Sequence, residues 1–383
     1  MHHYHHLRRQ PHRRRWQCHA DSRHQRDAMT RSARSQRGFG LVELMIALLL
    51  GLMVIGGVTS VFLSNKQSYR SNTALSQVQE GSRIAFELLA RDIRQAGLTG
   101  CGNNRVAVVL NDAEDDWWSD FAVAVRGYEG APSGTGAPAP ANLVAAEDSI
   151  VLKGLEDLGV SIESHNAPSA QFPLNATTNN ICAGDIVFVC DPVQAAVVQV
   201  TGPAVAACGA NTTVVHNTGN TQTPGNCTTN LTYNPLDPNG ANCGSQCNNG
   251  PNAQCYTYGS NSQIAKASAV FWYIGTNPVG GRSLYRQRRD TRNNNFITEE
   301  MVRNVSSMQL QYLVDNANYV NATAVPPAAW TAVNPPRITA VRVTLTLEGD
   351  ERFTGTNATS AGDVDRKIER SYTASVTIRN RVN

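Results

Sequence analysis

The sequence predicts an α+β fold in which a long N-terminal helix packs on a head built around an antiparallel β-sheet. The first observation is an uncharged apolar run at residues 44–63, which continues into a segment whose small and apolar residues recur every three or four positions up to Gly97. The second is a change, from Arg105 onward, to short alternating segments separated by Gly, Pro, Asn and Thr.

The apolar run is long enough to cross a membrane, because about 20 helical residues at about 1.5 Å each span the hydrocarbon core of a bilayer. A single acid, Glu43, stands at its edge. A carboxylate at the bilayer centre costs about 2.5 to 3.5 kcal/mol and tends to persist where it has a partner. A cleavable secretory signal would be shorter and would end in a small-x-small site, which residues 59–65 lack.

The basic character of the chain comes from its first 38 residues, which hold ten Arg, no Lys and two acids. The remaining residues carry 23 basic and 28 acidic side chains, a net charge of about −5. This composition gives no support for nucleic-acid binding. The Arg cluster before the apolar run predicts a cytoplasmic amino end and a translocated remainder.

A short motif leads into the apolar run: Arg37-Gly38-Phe39-Gly40-Leu41-Val42-Glu43. It resembles the processing site of type IV prepilins and type II secretion pseudopilins, with Gly40 where the family usually has Thr or Ser. The resemblance implies that a prepilin peptidase in the inner membrane cuts between Gly38 and Phe39 and methylates the new amine of Phe39. It also implies that Glu43 pairs with the N-terminal amine of a neighbouring subunit during assembly. The alternative is an ordinary signal anchor whose Glu43 reaches water.

The resemblance suggests a domain organisation. Residues 1–38 would be a basic leader that the peptidase removes, and because such leaders are short we expect translation to start at Met29 rather than Met1, leaving residues 1–28 untranslated. Residues 39–63 would be the transmembrane and assembly half of the helix, and residues 64–97 its amphipathic half. Residues 98–383 would form a periplasmic β-rich head with a Cys- and Asn-rich insertion at residues 208–261.

The amphipathic half has one buried face, and Gly97 can close it with a left-handed cap. The membrane half contains Gly51, Gly56 and Gly57. These glycines are packing points for neighbouring helices, a place where the helix melts on assembly, or residues that a membrane helix simply tolerates. The predicted buried stripe consists of Leu75, Val78, Ser82, Ala85, Leu89, Ile93 and Ala96.

The end of the helix carries a second motif, Leu89-x-Arg91-Asp92-Ile93-Arg94-x-Ala96-Gly97, followed by Gly100-Cys101. Together with the late segments Leu284-Tyr285-Arg286 and Met308-Gln309-Leu310-Gln311-Tyr312, it resembles the PilW family of type IV pilus minor pilins. The resemblance implies a pilin-like fold in which a disulfide from Cys101 ties the end of the helix to the head.

Cysteine usage agrees with export, because an even set in a loop-rich translocated region indicates disulfides formed in the periplasm. The sequence cannot choose among 105 full pairings. A zinc site around the last four cysteines is the alternative, but their spacing is loose. The candidates are Cys101, Cys182, Cys190, Cys208, Cys227, Cys243, Cys247 and Cys255.

Eight segments of the head are predicted strands, of which the seventh and eighth alternate most clearly. Two long polar stretches, residues 127–140 and 208–261, separate some of them, and we expect the second to be an exposed insertion held by disulfides. The predicted strands are residues 106–110, 149–152, 185–189, 269–274, 283–286, 308–314, 338–347 and 371–378.

The head shows no pattern typical of an enzyme, and we predict no catalytic residue, cofactor or metal. Outside the leader only His165 and His216 remain, in separate polar segments, and H-E-x-x-H, G-x-S-x-G and P-loop patterns are absent. Asp315 with Asn316 and Asn318 indicates a turn rather than a calcium loop. The basic cluster Arg282, Arg286, Arg288, Arg289 and Arg292 indicates a solvated strand and turn rather than a phosphate site.

The predicted function is that of a minor pilin which primes pilus assembly near the tip and supports twitching motility and adhesion. Its predicted partners are other minor pilins, the major pilin, a tip adhesin and the prepilin peptidase. It would lie in the inner membrane before entering the surface pilus. The alternatives are a minor pseudopilin of type II secretion and a membrane-anchored periplasmic hydrolase or binding protein.

Overall fold

The computed structural model describes residues 40–97, 101, 105–178, 180–202, 210–219, 223–237, 240–247, 255–290, 295–331, 337–353 and 366–379. The chain divides into two compact units, residues 1–63 and residues 64–383. The first unit contains, in its described part, only the beginning of helix α1, Leu41–Gln95. The second contains the rest of that helix and two β-sheets.

The larger sheet has ten strands, and β8 is its hub because it pairs with β3, β5 and β9. Its main order is β1-β6-β5-β8-β3-β4-β7; β2 joins β3, and β10 joins β9. All these pairs are antiparallel except β1 with β6. The strands are β1 Val106–Val108, β2 Val125–Tyr128, β3 Ser149–Ile162, β4 Gln171–Thr178, β5 Ile186–Cys190, β6 Ala195–Gln199, β7 Asn211–Val215, β8 Ser262–Thr276, β9 Arg282–Asp290 and β10 Asn295–Arg303.

The smaller sheet is antiparallel throughout, in the order β12-β11-β13-β14. A short helix, α2, precedes its longest strand. These elements are β11 Val305–Val314, β12 Asn318–Val320, α2 Pro327–Thr331, β13 Ile338–Phe353 and β14 Arg366–Thr377. All eight predicted strands are strands in the structure, whereas β2, β4, β6, β7, β10 and β12 were not predicted.

The predicted stripe of α1 forms the centre of the main core. Ala85, Leu89 and Ile93 are fully buried, while Leu75 is only half-buried. The stripe packs in one cluster with Trp272 of the larger sheet and Leu345 of the smaller one, among other residues. The amphipathic half of the helix therefore joins the two sheets in a single core.

Gly97 ends the helix as predicted, with a left-handed φ of 71°. Its amide donates to the carbonyl oxygen of Lys153 on β3, at 2.9 Å, instead of continuing the helix. The next strand residue, Gly154, leaves room for this approach, because a Cβ there would lie 3.2 Å from the carbonyl oxygen of Gln95.

Two carboxylates directly before β3 of the larger sheet form hydrogen bonds to β11 of the smaller sheet. Glu147 accepts hydrogen bonds from the Ser307 hydroxyl at 2.6 Å and the Met308 amide at 3.1 Å. Asp148 accepts one from the Leu310 amide at 2.7 Å, and its own amide donates to the Met308 carbonyl at 3.1 Å. These bonds provide partners for backbone groups of β11 directly before β3 begins.

Removing the central side chain of the stripe should destabilise the head. We expect Leu89→Ala to lower the free energy of unfolding by about 2 to 5 kcal/mol, because it leaves a cavity between helix and sheets. Ile84 lies on the same helix, and its side chain is 42% exposed. Ile84→Ala is therefore the matched control and should lower the free energy of unfolding by less than about 1 kcal/mol. The measurement is denaturant unfolding of the full chain in detergent, followed by tryptophan fluorescence. Equal losses for both variants would contradict the packing described here.

Candidate functional site

Residues 41–63 of α1 present a continuous apolar surface. Their large apolar side chains are 55% to 76% exposed. Within the described residues this is the one helix long and apolar enough to cross a bilayer. Gly51, Gly56 and Gly57 meet nothing within the chain, since a Cβ at any of them would have no atom within 4 Å. Their small size therefore leaves space for another helix or for lipid.

Glu43 lies in the first turn of this helix. The turn begins at Gly40, whose carbonyl oxygen accepts the Leu44 amide at 3.2 Å. No other acid occurs between Gly40 and Gln79, so Glu43 is the only negative side chain on the apolar segment and on the stretch of helix that follows it up to Gln79. Gly38 and Phe39 lie outside the described residues.

The end of α1 is tied to the larger sheet by Asp92. The Trp272 indole nitrogen donates to its carboxylate at 2.9 Å, and an Arg286 guanidinium nitrogen lies 3.9 Å from the same oxygen. Arg286 also forms an ion pair with Glu299 at 2.9 Å. Burial raises the pKa of Asp92, although the Trp272 hydrogen bond and the Arg286 charge oppose the shift. The structure thus brings together the Arg-Asp motif of the helix and the Leu-Tyr-Arg segment of β9.

Three disulfides are found in the described residues. Cys101, shortly after α1, is bonded to Cys190 at the end of β5. The other two lie in the insertion and join Cys227 to Cys243 and Cys247 to Cys255. Cys182 is disulfide-bonded as well, and Cys208 lies outside the described residues. The alternative of a zinc site is wrong for the last four cysteines, because disulfides occupy all of their sulfurs.

The insertion is less exposed than the sequence predicted. Leu231, Ala241 and Tyr258 are at most 1% exposed and belong to a core cluster with strands β4 to β7. The described part of residues 208–261 is therefore a structural layer of the head.

Two family models match the chain. The model described as Type IV Pilus-assembly protein W matches residues 271–380, and the Prokaryotic N-terminal methylation motif matches residues 33–59. No curated protein and no solved structure matches it. These two matches support a type IV pilin-like protein of the PilW family.

The two matches cover the two parts described above. The methylation motif contains Glu43 and most of the apolar segment, which fits a membrane-anchored pilin processed by a prepilin peptidase. The PilW match begins within β8 and ends just beyond β14, so it contains Trp272, Arg286 and the whole smaller sheet. Pilin regions are structural rather than catalytic, and they imply contact of this PilW-family protein with other pilins.

Sequence reasoning missed a buried histidine pair. His165 and His216 place their Nε2 atoms 3.2 Å apart, and the Phe172 ring lies 4.5 Å from each imidazole. The Tyr258 amide donates to His165 Nδ1 at 3.3 Å, so the proton of His165 is on Nε2 and points to His216. Burial lowers the pKa of His165 to about 4 and that of His216 to about 3. Only the pairing of β4 with β7 brings these residues together.

Some members of the polar clusters noted in the sequence have structural partners. Arg282 pairs with Glu147 at 3.0 Å, while Arg292 lies outside the described residues. Asp315 and Asn316 form the predicted turn with positive φ, and Arg337 holds the Asp315 carboxylate through two bonds of 2.7 and 2.8 Å.

Acidification should destabilise the head through the histidine pair. Because the folded-state pKa values lie below the ordinary 6.5, the unfolded chain binds more protons as pH falls through 6.5, and stability is lost. We expect the free energy of unfolding to be about 2 kcal/mol lower per histidine at pH 5 than at pH 7.5. The double variant His165→Phe/His216→Leu should lose most of this slope, whereas an unchanged slope would contradict neutral burial.

Asp148 supplies a control of opposite sign. Burial raises its pKa to about 6, so its contribution to stability is present below pH 4 and is lost as pH rises through 6. Asp148→Asn should therefore steepen the loss of stability on acidification, as measured by the same unfolding curves.

Proposed function

We propose that this PilW-family protein is a minor pilin that primes assembly of the type IV pilus from a complex at its tip. The observation that carries the proposal is the apolar segment of α1 with Glu43 as its single acid, most of which lies within the matched methylation motif. Twitching motility and adhesion would follow from the pilus itself.

The first proposed step is cleavage of the leader from the chain. Translation from Met29 would give a leader of residues 29–38, and cutting between Gly38 and Phe39 would create a new amine on Phe39, which is then methylated. Residues 39–63 hold the protein in the inner membrane until assembly, and residues 98–383 lie in the periplasm. This order follows from the motif, because the positive leader stays in the cytoplasm.

Assembly would then depend on Glu43. In lipid a carboxylate without a partner is costly, and a neighbour's Phe39 amine would neutralise it. The exposed apolar side chains of residues 41–63 would pack against the same segment of other pilins. The glycines of this segment would allow close approach of those helices.

The size of the head favours a tip position. Residues 64–383 form one compact unit with two sheets and a buried insertion. A head this large suits a cap better than a shaft position, where heads must repeat side by side around the filament. Other minor pilins, the major pilin and a tip adhesin are the proposed neighbours.

Cleavage is tested at the N-terminus. Gly38→Val should block processing, because it replaces the glycine of the proposed cut site, and mass spectrometry of the wild type should find a methylated chain that begins at Phe39. A Ser35→Val variant, a few residues upstream in the leader, is the control and should be cut normally. A wild-type N-terminus upstream of Phe39 would contradict the assignment.

The function is tested by deleting the gene and scoring surface pili by electron microscopy beside secretion of extracellular enzymes. We expect loss of pili with secretion intact, and restoration by a copy that starts at Met29. Loss of secretion with normal pili would assign the protein to a type II secretion pseudopilus instead.

Complementation with Glu43→Ala belongs to the same experiment. It should restore the membrane-inserted protein but not pili, whereas Glu80→Ala, on the same helix, should restore both. Normal incorporation of the Glu43→Ala protein into pili would contradict the charge-pairing mechanism. The assignment to the pilus would then rest on the deletion result alone.

A further inference from the structure

A polar groove of about 750 Å³ lies beside the end of α1, on the larger sheet. Its walls carry five cations but only two acids, Asp92 and Glu156. This concentration of positive charge stands out in a chain whose residues after the leader are net acidic. The cations are Arg91, Lys266, Arg286, Arg288 and Arg289.

Several of these cations lack an ion-pair partner or a hydrogen-bond acceptor among the described residues. Arg91 and Arg288 form no ion pair with any residue that the structure describes. The Nε atoms of Arg286 and Arg289 are buried and have no hydrogen-bond partner there. An anionic acceptor in the groove would pair with the guanidinium groups of Arg91, which is exposed, and Arg288, which is half-buried.

The floor of the groove is a break in the β-ladder. On one edge, β8 pairs with β5 up to Lys266 and with β9 only from Val270 onward. Residues 267–269 therefore have no strand partner on that side among the described residues, a gap of about 10 Å. Because N–H and C=O groups alternate in direction along a strand, at least one backbone pair faces the gap.

The surroundings of the gap are open and partly apolar. Residues 265–270 of β8 are half-buried although they lie at the hub of the sheet, whereas residues 271–275 are fully buried. Trp118, Phe121 and Leu155 line one side, and Arg289 stacks over Trp118 with 4.5 Å between its guanidinium carbon and the ring centre. An apolar wall beside unpaired backbone suits a peptide better than a free phosphate.

We propose that this groove binds a short extended peptide segment of a partner protein, whose carboxylate side chains meet the arginines while its backbone pairs with residues 267–269 of β8. Strand addition supplies main-chain hydrogen bonds, and the cations select acidic sequences. The inference goes beyond the proposed function and does not depend on it, since it concerns only groups of the head.

The test is fluorescence anisotropy of the full chain in detergent with a labelled peptide of three Thr-Glu repeats. We expect saturable binding that weakens with salt, and at least tenfold weaker binding of the matched Thr-Gln peptide. The double variant Arg91→Glu/Arg288→Glu should bind the acidic peptide at least tenfold more weakly. Arg288→Lys should stay within about threefold of the wild type, because it keeps the charge.

The matched control is Arg83→Glu/Arg370→Glu, which makes the same charge change on the same helix and on β14, away from the groove. It should alter affinity less than twofold, and unfolding curves should show that both double variants fold. Equal effects of the two double variants, or equal binding of both peptides, would overturn the proposal. Full displacement of the peptide by pyrophosphate at equal concentration, or tighter binding of an oligonucleotide, would replace it by a simple anion site or a nucleic-acid site.

Discussion

The head depends on one packing constraint, the burial of a narrow stripe of α1 against two sheets. Ala85 and Leu89 are fully buried, and each sheet contributes large side chains to the cluster around them. Without the helix, the side chains of both sheets that pack in this cluster would lose part of their apolar cover. Gly81 shows how close the contact is, since a Cβ there would lie 3.2 Å from Leu347.

Polar contacts determine where the helix and sheets meet. Asp92 fixes the last turns of α1 to β8 through Trp272, and Glu147 with Asp148 holds β11 against the start of β3. Each carboxylate is partly or fully buried and accepts specific donors, so its desolvation is compensated only in this arrangement. Apolar packing stabilises the head, and these acids select one arrangement of its layers.

The sequence was most informative where a local pattern determines the structure. The three-and-four spacing of the α1 stripe and the alternation in β13 and β14 depend on neighbouring residues, and the structure confirms them. β6 was missed because Ala195–Gln199 is a short buried run without alternation, and β4 because Pro173 interrupts it. The histidine pair and the disulfide pairing depend on contacts between distant segments, which no local pattern contains. Asp92 was visible as a motif, but its partner Trp272 was not.

The PilW match includes part of one core of the head and leaves another core entirely outside it. The segment that matches PilW supplies the smaller sheet and most of the strand residues that pack with α1, to which β2 and β3 add Val125, Ile150 and Leu152. The core around Phe172 is built only from residues 107–264. That second core contains the histidine pair and the insertion, and Cys101–Cys190 links the end of α1 to its edge. The core that buries the helix and the core that carries the histidine pair are thus distinct clusters, which β3 and β8 join because each strand contributes residues to both. Substitutions around Phe172 can therefore alter the second core without changing a side chain of the cluster that packs on α1.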